Sequence, residues 1–209
     1  KPTKTIDLVI TKDGPQGEKE VLCSKREYYP LGSALPGGII KDEDEDNSLQ
    51  LPAHEFAALR VAGEKVLGLT GDKIRYERTT DDKGKESFLI RGEQEFPVVR
   101  LHAEDEGGYR YHENIKTVLR PSDPRHIVDT IGFKCEIEGD PADTLALKNK
   151  TEIMSPDSPP GVFAFGHHRA IVAFITAPTS IEKDRQLKDR QFIRSIIKNP
   201  LDYYLTPKE

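Results

Sequence analysis

The side chains best suited to chemistry lie between residues 37 and 65. Arg60 and Glu64 stand four apart, so on a helix they stack on a common face. Lys65 follows Glu64 directly, and upstream Asp42, Glu43, Asp44, Glu45 and Asp46 form a run of five acids, itself preceded by Gly37-Gly38. Clustered carboxylates supply the oxygen ligands that a hard cation such as Mg2+ requires. A glycine pair lets the backbone turn tightly and approach a ligand with no Cβ in the way. Each feature also has an ordinary reading. A run of like charges is more often a solvated loop, and an Arg–Glu pair one turn apart is an ordinary surface ion pair contributing a few tenths of a kcal/mol.

These residues need elements to hold them. Thr5 to Thr11 (TIDLVIT) is rich in β-branched residues and reads as a strand, and Glu20 to Arg26 reads as a second strand, joined to it through the Asp13-Gly14-Pro15 turn. Pro52 suits the first turn of a helix, where a missing N–H costs nothing. Phe56, Leu59, Gly63, Val66 and Leu67 then recur at helical spacing and face a core. Gly63 inside that helix costs about 1 kcal/mol against alanine, which points to a close-packed neighbour. Gly68 or Gly71 supplies the stop. Further on, 72–79 and 86–91 alternate as a hairpin around Asp82-Lys83-Gly84, 96–102 is another strand, and 126–138 is the longest strand candidate. Residues 104–108 and the proline-rich 155–161 read as loops.

The whole chain bounds the answer. Lys+Arg is 31 against Asp+Glu 36, a net charge of −5, which argues against a nucleic-acid binder with its basic stripe. No apolar run approaches the roughly 20 residues of a membrane span, and the start carries no signal-peptide pattern. Cys23 and Cys135 form neither a disulfide framework nor a zinc spacing. Each lies among apolar neighbours and reads as a buried thiol in a reducing, cytoplasmic compartment. The chain begins at Lys1 rather than Met, which leaves room for a longer parent chain with a further domain.

The order of parts from Leu35 to Leu69 resembles the box of the MutT-like Nudix superfamily, G-x5-E-x7-R-E-U-x-E-E-x-G-U with U a bulky apolar residue. Gly38 matches the leading glycine, Asp44 the first acid, Arg60 the arginine and Glu64 the first acid of the E-E pair. Val61 stands where the family has glutamate after the arginine, and Lys65 replaces the second glutamate of the pair. The spacer from Asp44 to Arg60 is longer than the pattern, and Gly68 falls one residue late. On an α-helix, positions 61, 64 and 65 project from one side. That side, three carboxylates in the family, carries here an apolar group, one carboxylate and one ammonium, so the box is degenerate and too poor in oxygen ligands to hold a cation well. The strand ending in Arg26 and the L-P-G-G turn are also similar to how Nudix domains begin. Asp123-Pro124-Arg125 leading into a long strand is similar to the branch that handles ADP-ribose, as is Phe165-Gly166-His167 before a last helix, where the family has an acid in place of Gly166. Arg125 has two readings, a structural link to Asp123 or Asp129, or a planar fork that grips a diphosphate. Adjacent histidines diverge by about 100° on a helix, so a cap or core-edge role suits His167 and His168 better than metal ligation.

The resemblance implies an α/β fold, a Nudix-type mixed sheet sandwiched between helices, with a domain over 1–177 and a helical extension over 178–209. That extension caps the domain, forms a homodimer contact or leads elsewhere. The implied ligand is a small nucleotide of the ADP-ribose type, held at Gly37, Gly38, Arg26, Lys65 and Arg125. Two activities follow. In one, Glu64 and Asp44, with the rest of the acidic run, hold Mg2+ while Arg60 and Glu64 serve a pyrophosphohydrolase. In the other, Lys65 neutralises a diphosphate with no metal and the domain is a binding module whose hydrolysis is weak or lost. The second is the expectation drawn from Val61 and Lys65. A structural domain with no ligand is the bland third reading.

Overall fold

A β-branched run at the N-terminus becomes the middle of the sheet. β1 (Thr3–Asp13) lies parallel to β9 (Val128–Glu138), in register from Thr3 opposite Val128 to Thr11 opposite Glu136. A strand covered on both faces needs apolar residues at successive positions rather than alternating ones, and Ile6, Leu8, Val9 and Ile10 are all buried. The computed structural model of the chain describes residues 3–13, 19–26, 32–94, 97–102, 109–113, 128–139 and 151–154, together with His168, Ile171, Val172 and Ile175. They all belong to one compact unit, Lys1–Ile175, and the expected extension over 178–209 lies outside the described residues.

The strands form one mixed sheet. On one side of β1 lies β2 (Lys19–Arg26), with β10 (Thr151–Met154) beyond it; on the other side β9 leads to β7 (Val98–His102), β6 (Glu86–Arg91) and β5 (Arg75–Thr80). Three short strands join from the side: β3 (Gly32–Ala34) on β2, β4 (Gly37–Ile39) on β1 and β8 (Tyr109–Glu113) on β9. β1 is shared along one edge. Its C-terminal half pairs with β2 at Thr11 opposite Val21, and its N-terminal half with β4, placing Asp7 opposite Gly37.

Alternation along β1 sorts the core into two layers. Ile6, Leu8 and Ile10 pack with Phe88, Ile90, Val99, Leu101 and Phe133 against α1 (Ala53–Val61). Val9 points the other way and packs with Val21, Cys23, Leu35 and the helical residues Ile171, Val172 and Ile175. The expected α/β layering, a mixed sheet between helices on opposite faces, is what the chain adopts. Cys23 and Cys135 are free and buried, and burial pushes the Cys135 thiol pKa up. Among the described residues no helix is long and apolar enough to cross a membrane.

Boundaries differ in two places for local reasons. Gly71–Lys73 is a short 3-10 turn rather than the start of a strand, with Gly71 at φ +27°. The acidic run is a 3-10 turn at Asp42–Asp44 rather than a fully solvated loop, because Asp44 turns inward and its carboxylate accepts the Lys41 amide N–H.

Candidate functional site

Residues 57–61 (Ala-Ala-Leu-Arg-Val) are buried on every side of α1. A guanidinium among them must be paired, because a lone buried charge is far too costly. Its partner is Asp44. Arg60 Nε donates to Oδ1 and Nη2 to Oδ2, both at 2.8 Å, the parallel fork that guanidinium and carboxylate geometry favour. Nη2 also donates to the Ile39 carbonyl at 3.1 Å, and Nη1 to Glu64 Oε2 at 3.3 Å. Asp44 is 0% exposed and Arg60 9%. Burial alone pushes the Asp44 carboxyl up, but the Arg60 hydrogen bond, the Lys41 amide and the nearby positive charges outweigh it and hold the pKa below the usual carboxylate value. The Arg60–Glu64 link expected one turn apart is present, as the weaker arm of a pair whose stronger arm crosses to the acidic turn.

Beyond Val61 the helix widens into a π-turn over Ala62–Val66, with the Leu67 N–H reaching the Ala62 carbonyl. Such a turn takes one residue more than an α-turn. That extra residue accounts for Gly68 arriving one position late, and Gly68 then ends the helix in the left-handed region at φ +68°. The neighbour that requires Gly63 is Ile74, whose side-chain carbons lie 2.6–2.9 Å from where a Cβ would stand.

The π-turn and the glycine pair meet. Lys65 Nζ donates to the Gly37 carbonyl at 2.5 Å. A Cβ on Gly37 would stand 2.2 Å from Asp7 Oδ1, and one on Gly38 would stand 2.9 Å from Val61 Cγ2. The two glycines therefore let β4 close on β1 and on α1, a use of the missing Cβ inside the protein itself. Val61 does not share an open face with residues 64 and 65, as an unbroken α-helix would require; it is 0% exposed and packed on Gly38. Glu64 is half-buried and Lys65 exposed. Even so, desolvation of the Lys65 ammonium beside the turn lowers its pKa. Arg60 adds to that effect, Asp7 and Glu64 oppose it, and Arg26 pushes it down a little further. Tyr76 closes the far side: burial first, then Glu64, raises its phenol to about 12, with Arg60 opposing.

The structure thus brings Gly37, Gly38, Asp44, Arg60, Glu64 and Lys65 together and leaves half-buried Arg26 within electrostatic reach of Lys65. Arg125, His167 and the loops at 104–108 and 155–161 lie outside the described residues. Among the described residues no group of three or more His, Cys, Asp or Glu side chains is arranged to hold a metal ion.

One contributor, Asp7, escaped the sequence reading, and a second, His168, takes the core role expected of it with partners that the sequence did not name. Asp7 is 6% exposed, and its Oδ2 accepts from Thr130 Oγ1 at 2.9 Å. His168 is 3% exposed; its Nδ1 accepts the Leu35 N–H at 3.1 Å, and its Nε2 lies 3.4 Å from Asp7 Oδ1. The signal for Asp7 was available, since a single acid inside TIDLVIT has to be buried by the run around it. For His168 the core-edge placement was legible, but its partners Leu35 and Asp7 are too distant in sequence for any local pattern to name them.

No protein-family model and no curated protein matches the chain. Among solved structures it is similar to an Ap4A hydrolase of C. elegans, at 11% identity over 81% of this chain and 92% of that one, with a TM-score of 0.46. It is also similar to a NUDIX hydrolase from Alicyclobacillus acidocaldarius, at 16% identity over 87% and 94% with a TM-score of 0.46. A third, a NUDIX hydrolase from Nitrosomonas europaea, gives 14% identity over 82% and 68% with a TM-score of 0.41.

Proposed function

We propose that this is a Nudix-like domain that binds a nucleoside diphosphate derivative of the ADP-ribose type without a metal and hydrolyses it weakly or not at all. The observation that carries the reading is the position of the Lys65 ammonium, on the Gly37 carbonyl at the mouth of the glycine turn. A divalent cation of the Mg2+ kind needs about six oxygen ligands, with protein carboxylates among them. The donor set does not fit that need. Asp44 already accepts three N–H groups, two from Arg60 and one from Lys41, and has no exposure to solvent. Glu64 remains, with one oxygen on Arg60 and an ammonium as its neighbour in sequence. Val61, the third position of the box, is sealed into the core.

The same residues suit an anion. Lys65 supplies a mobile point charge, and Arg60 and Arg26 add positive potential behind it. A diphosphate that draws the ammonium off the Gly37 carbonyl replaces one hydrogen bond to a neutral group by a stronger one to a charged oxygen. Among the described residues no group of three or more carboxylates is arranged to hold the metal that would polarise a phosphoryl group or activate water, which favours binding over hydrolysis.

Titration of ADP-ribose by calorimetry, with Mg2+ and with chelator, tests this while AMP release is followed in parallel. Equal affinity in both conditions with no AMP supports the reading. Metal-dependent turnover at ordinary enzymatic rates defeats it, and would assign the chemistry to Glu64 with the exposed acids Asp42, Glu43, Glu45 and Asp46.

A further inference from the structure

The glycine turn is held from both faces of the sheet. On the α1 face, Lys65 binds the Gly37 carbonyl. On the opposite face, the buried His168 accepts the N–H of Leu35, two residues earlier. An amide N–H only donates, so His168 Nδ1 carries no proton there, and the neutral ring has its single N–H on Nε2. That nitrogen faces Asp7 Oδ1 at 3.4 Å. Asp7 is fixed in turn by the Thr130 hydroxyl on its other oxygen and stands directly under Gly37, its partner in the β1–β4 ladder. The contacts run from β9 through Thr130 and Asp7 to His168, and from His168 to the backbone of the turn. A second path leads from Asp7 straight to Gly37, where Asp7 Oδ1 fills the space of the missing Cβ.

We infer that His168 is a positioning residue for the diphosphate site: with Asp7 it sets the height and tilt of the Leu35–Gly38 backbone, and so the place at which Lys65 waits. The inference rests on the binding reading above. The turn's other anchors lie along the sheet and in the core: the Leu8 N–H donates to the Pro36 carbonyl at 2.8 Å, β4 is laddered to β1, and the Leu35 side chain packs with Val9 and Val21, while His168 adds a side-chain bond to the backbone of the turn. A hydrogen bond made by a buried histidine holds it, because loss of one partner leaves the Leu35 N–H unsatisfied in a dry setting.

The test compares His168→Phe, which keeps a ring but neither nitrogen, with His168→Asn, whose side-chain oxygen can still accept the Leu35 N–H. Thr130→Val loosens Asp7 from the other side at nearly constant volume and stands in if the phenylalanine variant fails to fold. Two readouts are taken on the full chain: amide hydrogen exchange of the ligand-free protein, and ADP-ribose affinity. Expected in His168→Phe and Thr130→Val is faster exchange at Gly37 and Gly38, with α1 and β6 unchanged, and an affinity loss of about tenfold, the equivalent of one buried hydrogen bond. His168→Asn should restore both to within about threefold, since the Leu35 bond is remade. Exchange at Gly37 and Gly38 that matches the wild type in both loosened variants would overturn the inference. So would an increase spread evenly over the sheet and α1, the mark of general destabilisation. The exchange measurement needs no ligand, so a wild-type protein that ignores ADP-ribose refutes the binding reading while the positioning role is still decided.

Discussion

Asp44→Asn is the substitution that most sharply separates a structural acid from a metal ligand. Asp44 has no solvent exposure and accepts three N–H groups, from Arg60 Nε, Arg60 Nη2 and the Lys41 amide. Asparagine keeps the shape but offers one oxygen, and its NH2 must face one of those donors. The guanidinium then keeps only the more distant, partly exposed Glu64 carboxylate as counter-charge. Removing one partner of a buried pair costs about 3–5 kcal/mol, a large share of a total stability of about 5–15 kcal/mol. For a chain of this size that lowers the melting temperature by about 10 °C. Urea denaturation of the wild type, Asp44→Asn, Arg60→Met and the double variant measures it. The double variant should lose much less than the sum of the singles, with a coupling of about 2 kcal/mol.

The pH dependence supplies the sign. The folded-state pKa of Asp44 lies below its ordinary 3.8. Its stabilisation is therefore complete above 3.8 and disappears as pH falls through the lower folded value. Asp44→Asn should flatten that acid limb. A cost below about 1 kcal/mol, the range of an exposed pair, together with loss of a Mg2+-dependent activity, would refute the reasoning and return Asp44 to the role of ligand.

Two further outcomes follow from the same geometry. Lys65→Ala should weaken ADP-ribose binding by about 10- to 100-fold, as expected for one charge-assisted hydrogen bond, while Lys65→Arg keeps most of it. Because the Lys65 pKa lies below the ordinary 10.5, wild-type affinity should begin to fall as pH rises, before 10.5 is reached, and the arginine variant should not show that fall; a wild-type profile flat through 10.5 counts against the assignment. Gly63→Ala sets helix propensity against packing. The gain of about 1 kcal/mol opposes a Cβ only 2.6 Å from Ile74 Cδ1, and overpacking of about 1–3 kcal/mol should win in thermal unfolding. Ile74→Val should recover part of the loss, and a stabilised Gly63→Ala would show that the π-turn relaxes instead.

Local physics was legible in the sequence. β-branched and apolar runs mark β1, β7 and β9, alternation marks β6, Pro52 marks the start of α1 and glycine the end of the helix, because each depends on residues within a turn or two of one another. Even the one-residue offset of Gly68 was visible, although its cause, the π-turn at Ala62–Val66, was not. The site was readable only as a set of names. Arg60 is separated from Asp44 by sixteen residues, and nothing local says which of five acids turns inward. An unbroken helix predicts Val61 on an open face with residues 64 and 65, but its side chain packs against Gly38 of β4, a contact no local pattern reveals. His168 meets Leu35 across 133 positions and Asp7 from even farther away, so no periodicity connects them. Sequence alone fixes which surfaces are apolar and where the backbone can bend. Which charge is buried, and against what, depends on two distant elements closing on each other, since only there does desolvation of an unpaired group become too costly to tolerate.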